Sequence, residues 1–138
     1  TDGLSTPFDA GLEWALKMDK TFFVGQRSLQ IVAAKPRKQV LVGFTLPAGE
    51  PVPEECHLVI DGGAIAGRVT SVARSEALGL TVGLAYVTPG LAAAGTPIEI
   101  RLTGSSPATA PRVRATVVAT PFYDAAGTRM RQLPVEGP

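Results

Sequence analysis

Cysteine occurs once in this 138-residue chain, at Cys56, and histidine once, at His57. A lone cysteine excludes an intramolecular disulfide and any multi-cysteine zinc site. Cys56 and His57 could form the nucleophile and base of a stand-alone hydrolase. Adjacent residues on a strand point to opposite faces, however, so a plain structural pair is the expectation. Charge is scarce as well: charged residues make up 18% of the chain, against the usual quarter or so, and the net charge is only +1. No electrostatic footprint for nucleic acid is visible at that balance. The chain also lacks any apolar run near the roughly 20 residues that cross a bilayer, and no signal peptide is read at its start. The expectation is a soluble, cytoplasmic protein with no membrane partner. Its first residue is Thr1 rather than methionine, as in a fragment or a processed product.

What the chain does have is apolar residues (45%), 15 glycines and 12 prolines. That composition is globular, and a chain of this length makes one domain, or one domain plus a flanking piece. Folding at this size buries about two-thirds of the surface, enough for a core without metals or disulfides.

The pattern changes near residue 36. Before it, Thr6 is a candidate helix cap with Pro7 at the first helical position, opening a short turn through Phe8-Asp9-Ala10 to Gly11. Leu12–Met18 nearly alternates apolar and polar residues, which predicts a half-buried strand. A helix is expected over 24–34, burying Val24, Leu29, Ile31 and Val32 and stopped by Pro36.

From Gln39 onward the signals are strands, expected at 39–46, 57–60, 64–72, 81–87, 97–102 and 112–119, with a helical turn at 91–94. Asp61-Gly62-Gly63 supplies the positive-φ positions of a tight hairpin. Short strands at this spacing indicate a six-stranded antiparallel barrel or sandwich, and closure would remove the edge liability of such apolar strands. Residues 103–111 read as an extended loop and the tail after Arg131 as frayed.

Three residue sets are candidates for chemistry. Asp9, Glu13 and Asp19 could share acid and base roles only if their environments differed. Asp9 reads better as a first-turn helix charge, and Asp19, between Lys17 and Lys20, as a solvated one. Among Trp14, Phe22, Phe23, Tyr86, Phe122 and Tyr123, the isolated Trp14 could stack on a flat heterocycle or plug a seam against the barrel. Arg68, Arg74, Arg129 and Arg131 suit carboxylate recognition, a glutamyl tail for instance, or solvated and interdomain roles. The run Lys35-Pro36-Arg37-Lys38 reads as a solvated linker or a polyanion contact. Asp61-Gly62-Gly63 is not a phosphate loop, since neither a lysine nor a helix follows it.

Several segments, in order, resemble the aminomethyltransferase family that includes the glycine cleavage T-protein. They are Thr6-Pro7-Phe8-Asp9-Ala10-Gly11-Leu12-Glu13-Trp14, Asp19-Lys20 with Phe23 to Leu29, Gly67-Arg68-Val69-Thr70-Ser71, Gly83-Leu84-Ala85-Tyr86-Val87, Gly95-Thr96 and Pro121-Phe122-Tyr123-Asp124. Within that family, Thr1-Asp2-Gly3 and the ending with Gly127 and Arg129 look closest to the alpha subunit of heterotetrameric sarcosine oxidase.

The resemblance implies that residues 1–36 end a folate-binding domain and 37–138 form a C-terminal β-barrel. It implies tetrahydrofolate as cofactor of the intact protein, capturing an amine-derived one-carbon unit as 5,10-methylenetetrahydrofolate. The barrel would wall that site, and this chain would be inactive alone. Flavin and NAD would belong to other segments or subunits. Partners would be the upstream folate-binding segment and flavin-bearing oxidase subunits. The family's catalytic aspartate would lie upstream of Thr1, so no catalytic residue is assigned. Trp14 falls where the family places an aromatic residue beside the pterin, and Tyr123 in the closing segment that approaches the ligand. The competing expectation is a noncatalytic barrel that docks a partner subunit.

Overall fold

A computed structural model of the chain describes residues 5–104, 106 and 109–128. Its strands are β1 (Val40–Leu46), β2 (Leu58–Asp61), β3 (Ala64–Ser75), β4 (Leu80–Val87), β5 (Pro97–Arg101) and β6 (Arg112–Val118). All pairings are antiparallel, and the order β1-β4-β3-β2-β5-β6 closes into a barrel. Of the two expected architectures, barrel and sandwich, the chain adopts the barrel. Closure is made where Gly43, Phe44 and Thr45 of β1 pair with Val118, Val117 and Thr116 of β6. Every strand then has two neighbours, and open edge is confined to strand ends such as residues 71–75 of β3, which pair with β4 alone.

The period-two pattern explains the interior. Ile98 and Ile100 of β5 and Val113, Ala115 and Val117 of β6 point into the core, where they join Val42, Phe44, Leu46, Val59, Val69, Ala85 and Val87. Residues between them face outward, as pleating requires. The β2–β3 turn has φ of +54° at Gly62 and +89° at Gly63, with Asp61 opposite Ala64. Positive φ at both central residues is the twist-matched two-residue hairpin, which an L side chain would strain. The helical turn expected at 91–94 instead occupies Pro89–Leu91, where Pro89 provides the helical φ.

The segment before the barrel departs further from expectation. Leu12–Met18 is not a strand: Glu13–Ala15 forms one 3-10 turn, and none of the described strands pairs with it. Alternation signals a strand only where a partner strand lies in register, and here none does. Helix α1 spans Gln26–Ala33, entered through Gly25 at φ +90°. Leu29 and Val32 are half-buried, but Val24 and Ile31 are exposed, contrary to the expected buried set. The turn at residues 7–11 does form. Asp9 Oδ2 accepts hydrogen bonds from Thr6 N–H (3.0 Å) and Thr6 Oγ1 (2.8 Å), and Leu41 N–H donates to Asp9 O, tying the turn to β1. Asp9 is therefore a capping carboxylate.

Candidate functional site

Trp14 sits on the 3-10 turn with 79% of its surface exposed. Leu12, Phe22, Val24 and Ile31, all from the same segment, are exposed as well, Val24 by 92%. One short segment thus leaves five large apolar side chains in water, more than scattered surface residues account for. Trp14 therefore does not plug a seam within this chain. The segment is nevertheless held in shape. Gln26 Nε2 donates to Lys20 O (2.9 Å) and Met18 O (3.3 Å), and Arg37 pairs with Glu13. Glu13 is thus committed to an ion pair, and Asp19 is exposed, so the carboxylate trio forms no acid–base site. Next to this segment, Thr6, Phe8, Asp9, Val32, Lys35 and Lys38 help line a cleft of about 440 Å³. The basic run 35–38 therefore rims a concave surface.

Tyr123 lies on the chain that leaves β6. There Phe122 folds back over Gly43 of β1: a Cβ on Gly43 would stand 2.8 Å from the Phe122 ring and 2.6 Å from Thr120 Cγ2. Asp124, at φ +47°, accepts hydrogen bonds at Oδ1 from the N–H (2.9 Å) and hydroxyl (2.8 Å) of Thr128. With Phe122 turned in, Tyr123 turns out and is 47% exposed. Trp14 and Tyr123 both present rings to solvent from structured segments, but neither lines the clefts of about 500, 440 and 230 Å³ on this surface.

Cys56 and His57 are joined to the barrel as structural residues. Cys56 N–H donates to Val69 O (3.0 Å), and Val69 N–H donates to His57 O (2.8 Å). The His57 Nδ1 accepts from Glu54 N–H at 2.9 Å, so its Nε2 carries the proton and meets Thr103 Oγ1 at 2.9 Å. With both ring nitrogens engaged, the imidazole is not poised to deprotonate Cys56. His57→Ala is expected to cost about 1 kcal/mol, a drop of a few degrees in Tm, by loss of these bonds. Thiol-reagent kinetics at Cys56 should be unchanged in that variant; a large slowing would restore the nucleophile reading. Both residues contribute to a shallow cleft of about 230 Å³. Among the described residues, no group of three or more His, Cys, Asp or Glu could hold a metal ion, and no helix is long and apolar enough to cross a membrane.

Arg101, Arg112 and Arg114, not singled out from the sequence, come together on the outer barrel wall with Arg68, which was. Leu58 is in register with Arg68 on one side and with Arg101 on the other, and Arg101 with Arg112. Their strand neighbours Val59, Ile100 and Val113 are in the core, so this row faces outward. The next row holds Ile60, Glu99 and Arg114. Arg112 reaches Glu99 at 3.0 Å, and the Arg68 guanidinium lies 6.0 Å from the centroid of Tyr86, which is 2% exposed. Arg101 and Arg114 form no ion pair among the described residues. The Arg-x-Arg spacing of 112 and 114 puts both on one face, but the alignment with 68 and 101 depends on strand register. Of the four arginines picked from the sequence, Arg74 is on β3 away from this row, and Arg129 and Arg131 lie outside the described residues, as does Thr1-Asp2-Gly3.

Beside the arginine row, the Gly62-Gly63 hairpin overhangs a cleft of about 500 Å³, with Ile60 and Pro97 among its apolar lining and Arg112 and Arg114 among its polar lining.

Comparison with known proteins agrees with this architecture. Residues 39–124 match the model of the glycine cleavage T-protein C-terminal barrel domain. The chain is 40% identical over 124 residues to an aminomethyltransferase of Streptomyces coelicolor, covering 86% of this chain and 31% of that protein. It is 33% identical over 123 residues to an aminomethyltransferase of Rippkaea orientalis, covering 88% of this chain and 31% of the relative. The crystal structure of the glycine cleavage system aminomethyltransferase T from Bartonella henselae superposes with a TM-score of 0.73 at 25% identity, over 86% of this chain and 32% of that one. The chain thus spans about a third of the length of the aminomethyltransferases it matches. A closed barrel of this topology, matched over most of its length, places the chain in the glycine cleavage T-protein family, as its C-terminal barrel domain.

Proposed function

We propose that this chain is the C-terminal part of a tetrahydrofolate-dependent one-carbon enzyme and that its barrel walls a site built mainly by other parts of the protein. The observation that carries this reading is the exposed apolar face of residues 12–31, on a segment otherwise held by hydrogen bonds. On this reading residues 1–36 end the folate-binding domain and 37–138 form the barrel. Trp14 and Tyr123 fit tetrahydrofolate in part: each offers an exposed ring for a flat heterocycle, and neither lines any of the three clefts. They would form one wall. Tetrahydrofolate, when bound, supplies the nitrogens that take up an amine-derived one-carbon unit. The barrel's contribution is to exclude water that would hydrolyse a reactive imine.

Titration calorimetry of the full gene product carrying this chain tests the proposal. Tetrahydrofolate should bind, and Trp14→Ala should weaken it about 5- to 100-fold, the range of a stacked aromatic contact. In the 138-residue chain alone the same change should leave Tm within about two degrees, because the ring is already in water. A full-length protein that ignores tetrahydrofolate would leave the barrel as a noncatalytic docking module for a partner subunit. The ending Pro121-Phe122-Tyr123-Asp124 with Gly127 supports a finer placement, beside the alpha subunit of heterotetrameric sarcosine oxidase. Flavin and NAD would then sit on other segments or on flavin-bearing oxidase subunits.

A further inference from the structure

From the arginine row we infer a docking surface for an extended acidic segment of a partner protein, laid across β3, β2, β5 and β6 on the outside of the barrel. Its charge is concentrated: the whole chain carries a net +1, yet this wall brings together Arg68, Arg101, Arg112 and Arg114 against two carboxylates, Glu99, which pairs with Arg112, and Asp61, which lines the same cleft as Arg112 and Arg114. Arg101 and Arg112 stand directly opposite each other, and like charges in that relation oppose sheet formation. A fold gains nothing from that arrangement on its own account; a bound anion reverses its sign.

The chemistry of the cations selects the ligand. All four lysines precede residue 39, so every cation described on the barrel is an arginine. Guanidinium groups bind carboxylates in a two-point fork, whereas an ammonium acts as a point charge. Arg68 and Arg112 are three strand spacings apart, about 14 Å, which is also the span from residue i to i+4 of an extended peptide. Acidic residues at i, i+2 and i+4 would therefore reach the row. Residues between them point the other way, off the barrel and toward the partner's own surface. Nucleic acid is less well suited, because Tyr86 is buried and no exposed aromatic on these strands offers a base-stacking platform.

The test uses the 138-residue chain and a fluorescein-labelled heptapeptide of alternating glutamate and valine, followed by fluorescence anisotropy. Binding is expected at about 50 mM salt and should weaken markedly at about 300 mM. Arg101→Glu with Arg112→Glu should weaken it tenfold or more. Arg101→Lys with Arg112→Lys, which keeps the charge and loses the fork, should lie between. Arg74→Glu, on β3 but off the row, should bind as the parent does. Arg101→Glu alone removes the like-charge pair, so its melting temperature should equal or exceed the parent's while binding falls. The inference is overturned if the double charge reversal leaves binding unchanged, or if Arg74→Glu weakens it equally. It is also overturned if a single-stranded oligonucleotide of equal charge displaces the peptide at lower concentration than unlabelled peptide does.

Discussion

Phe44→Ala is expected to destabilise the chain by about 3–5 kcal/mol, lowering Tm by 10 °C or more. The Phe44 side chain is fully buried, and its residue lies opposite Gly83 of β4 and Val117 of β6. The inward positions around Gly83 on β4 are small, namely Thr81 and Ala85, so the ring fills the space that β4 leaves empty. A Cβ on Gly83 would lie 2.3 Å from Phe44 Cζ and 2.8 Å from Ser71 O. Removing the ring therefore opens a cavity over a residue with no side chain to relax into it, which puts the cost high in the range. The pairing also predicts coupling. Gly83→Ala should be destabilising beside Phe44 and less so beside Ala at 44, where the methyl enters vacated space. Urea denaturation of both single variants and the double variant measures this. Strict additivity would show that ring and glycine do not share the space.

Gly67→Ala should cost about 3 kcal/mol, or roughly 10 °C in Tm, for the opposite reason. A Cβ at that position would stand 2.0 Å from Tyr86 O and 3.0 Å from Val87 Cα. Those are backbone atoms of the paired strand, so no rotamer change relieves the clash. Relief requires β3 and β4 to separate where Thr88 N–H donates to Ala66 O at 2.8 Å. Hydrogen exchange should show the loss first at the amides of residues 85–88. A variant that melts like the parent would mean the strands can part there at little cost. The glycines of the Gly62-Gly63 turn act differently: a Cβ at either meets nothing within 4 Å, and only their positive φ constrains them.

Most of the barrel was legible because strand patterning is local. Ile98 and Ile100, and Val113, Ala115 and Val117, alternate with polar residues, and that alternation alone commits one face to a core. Asp61-Gly62-Gly63 announced its turn because few residues accept two successive positive φ values. The same kind of reading failed at Leu12–Met18 and at Val24 and Ile31. Those residues carry the pattern of buried elements, but among the described residues no strand pairs with Leu12–Met18, and Val24 and Ile31 stay exposed. Amphipathic pattern records what a surface will be covered by, and the cover need not belong to the same piece of chain.

By itself, then, the sequence determined the strands, their inward faces, the hairpin and the family, all of which depend on residues close together along the chain. Only the tertiary structure decided barrel over sandwich, because closure rests on Phe44 finding Val117 some seventy residues away. It also decided that Trp14 stands in solvent, that His57 is tied by both nitrogens, and that Arg68, Arg101 and Arg112 form a single row. The physical reason is register. A slip of one residue turns every side chain of a strand to the other face, and pairing between distant strands is what sets it.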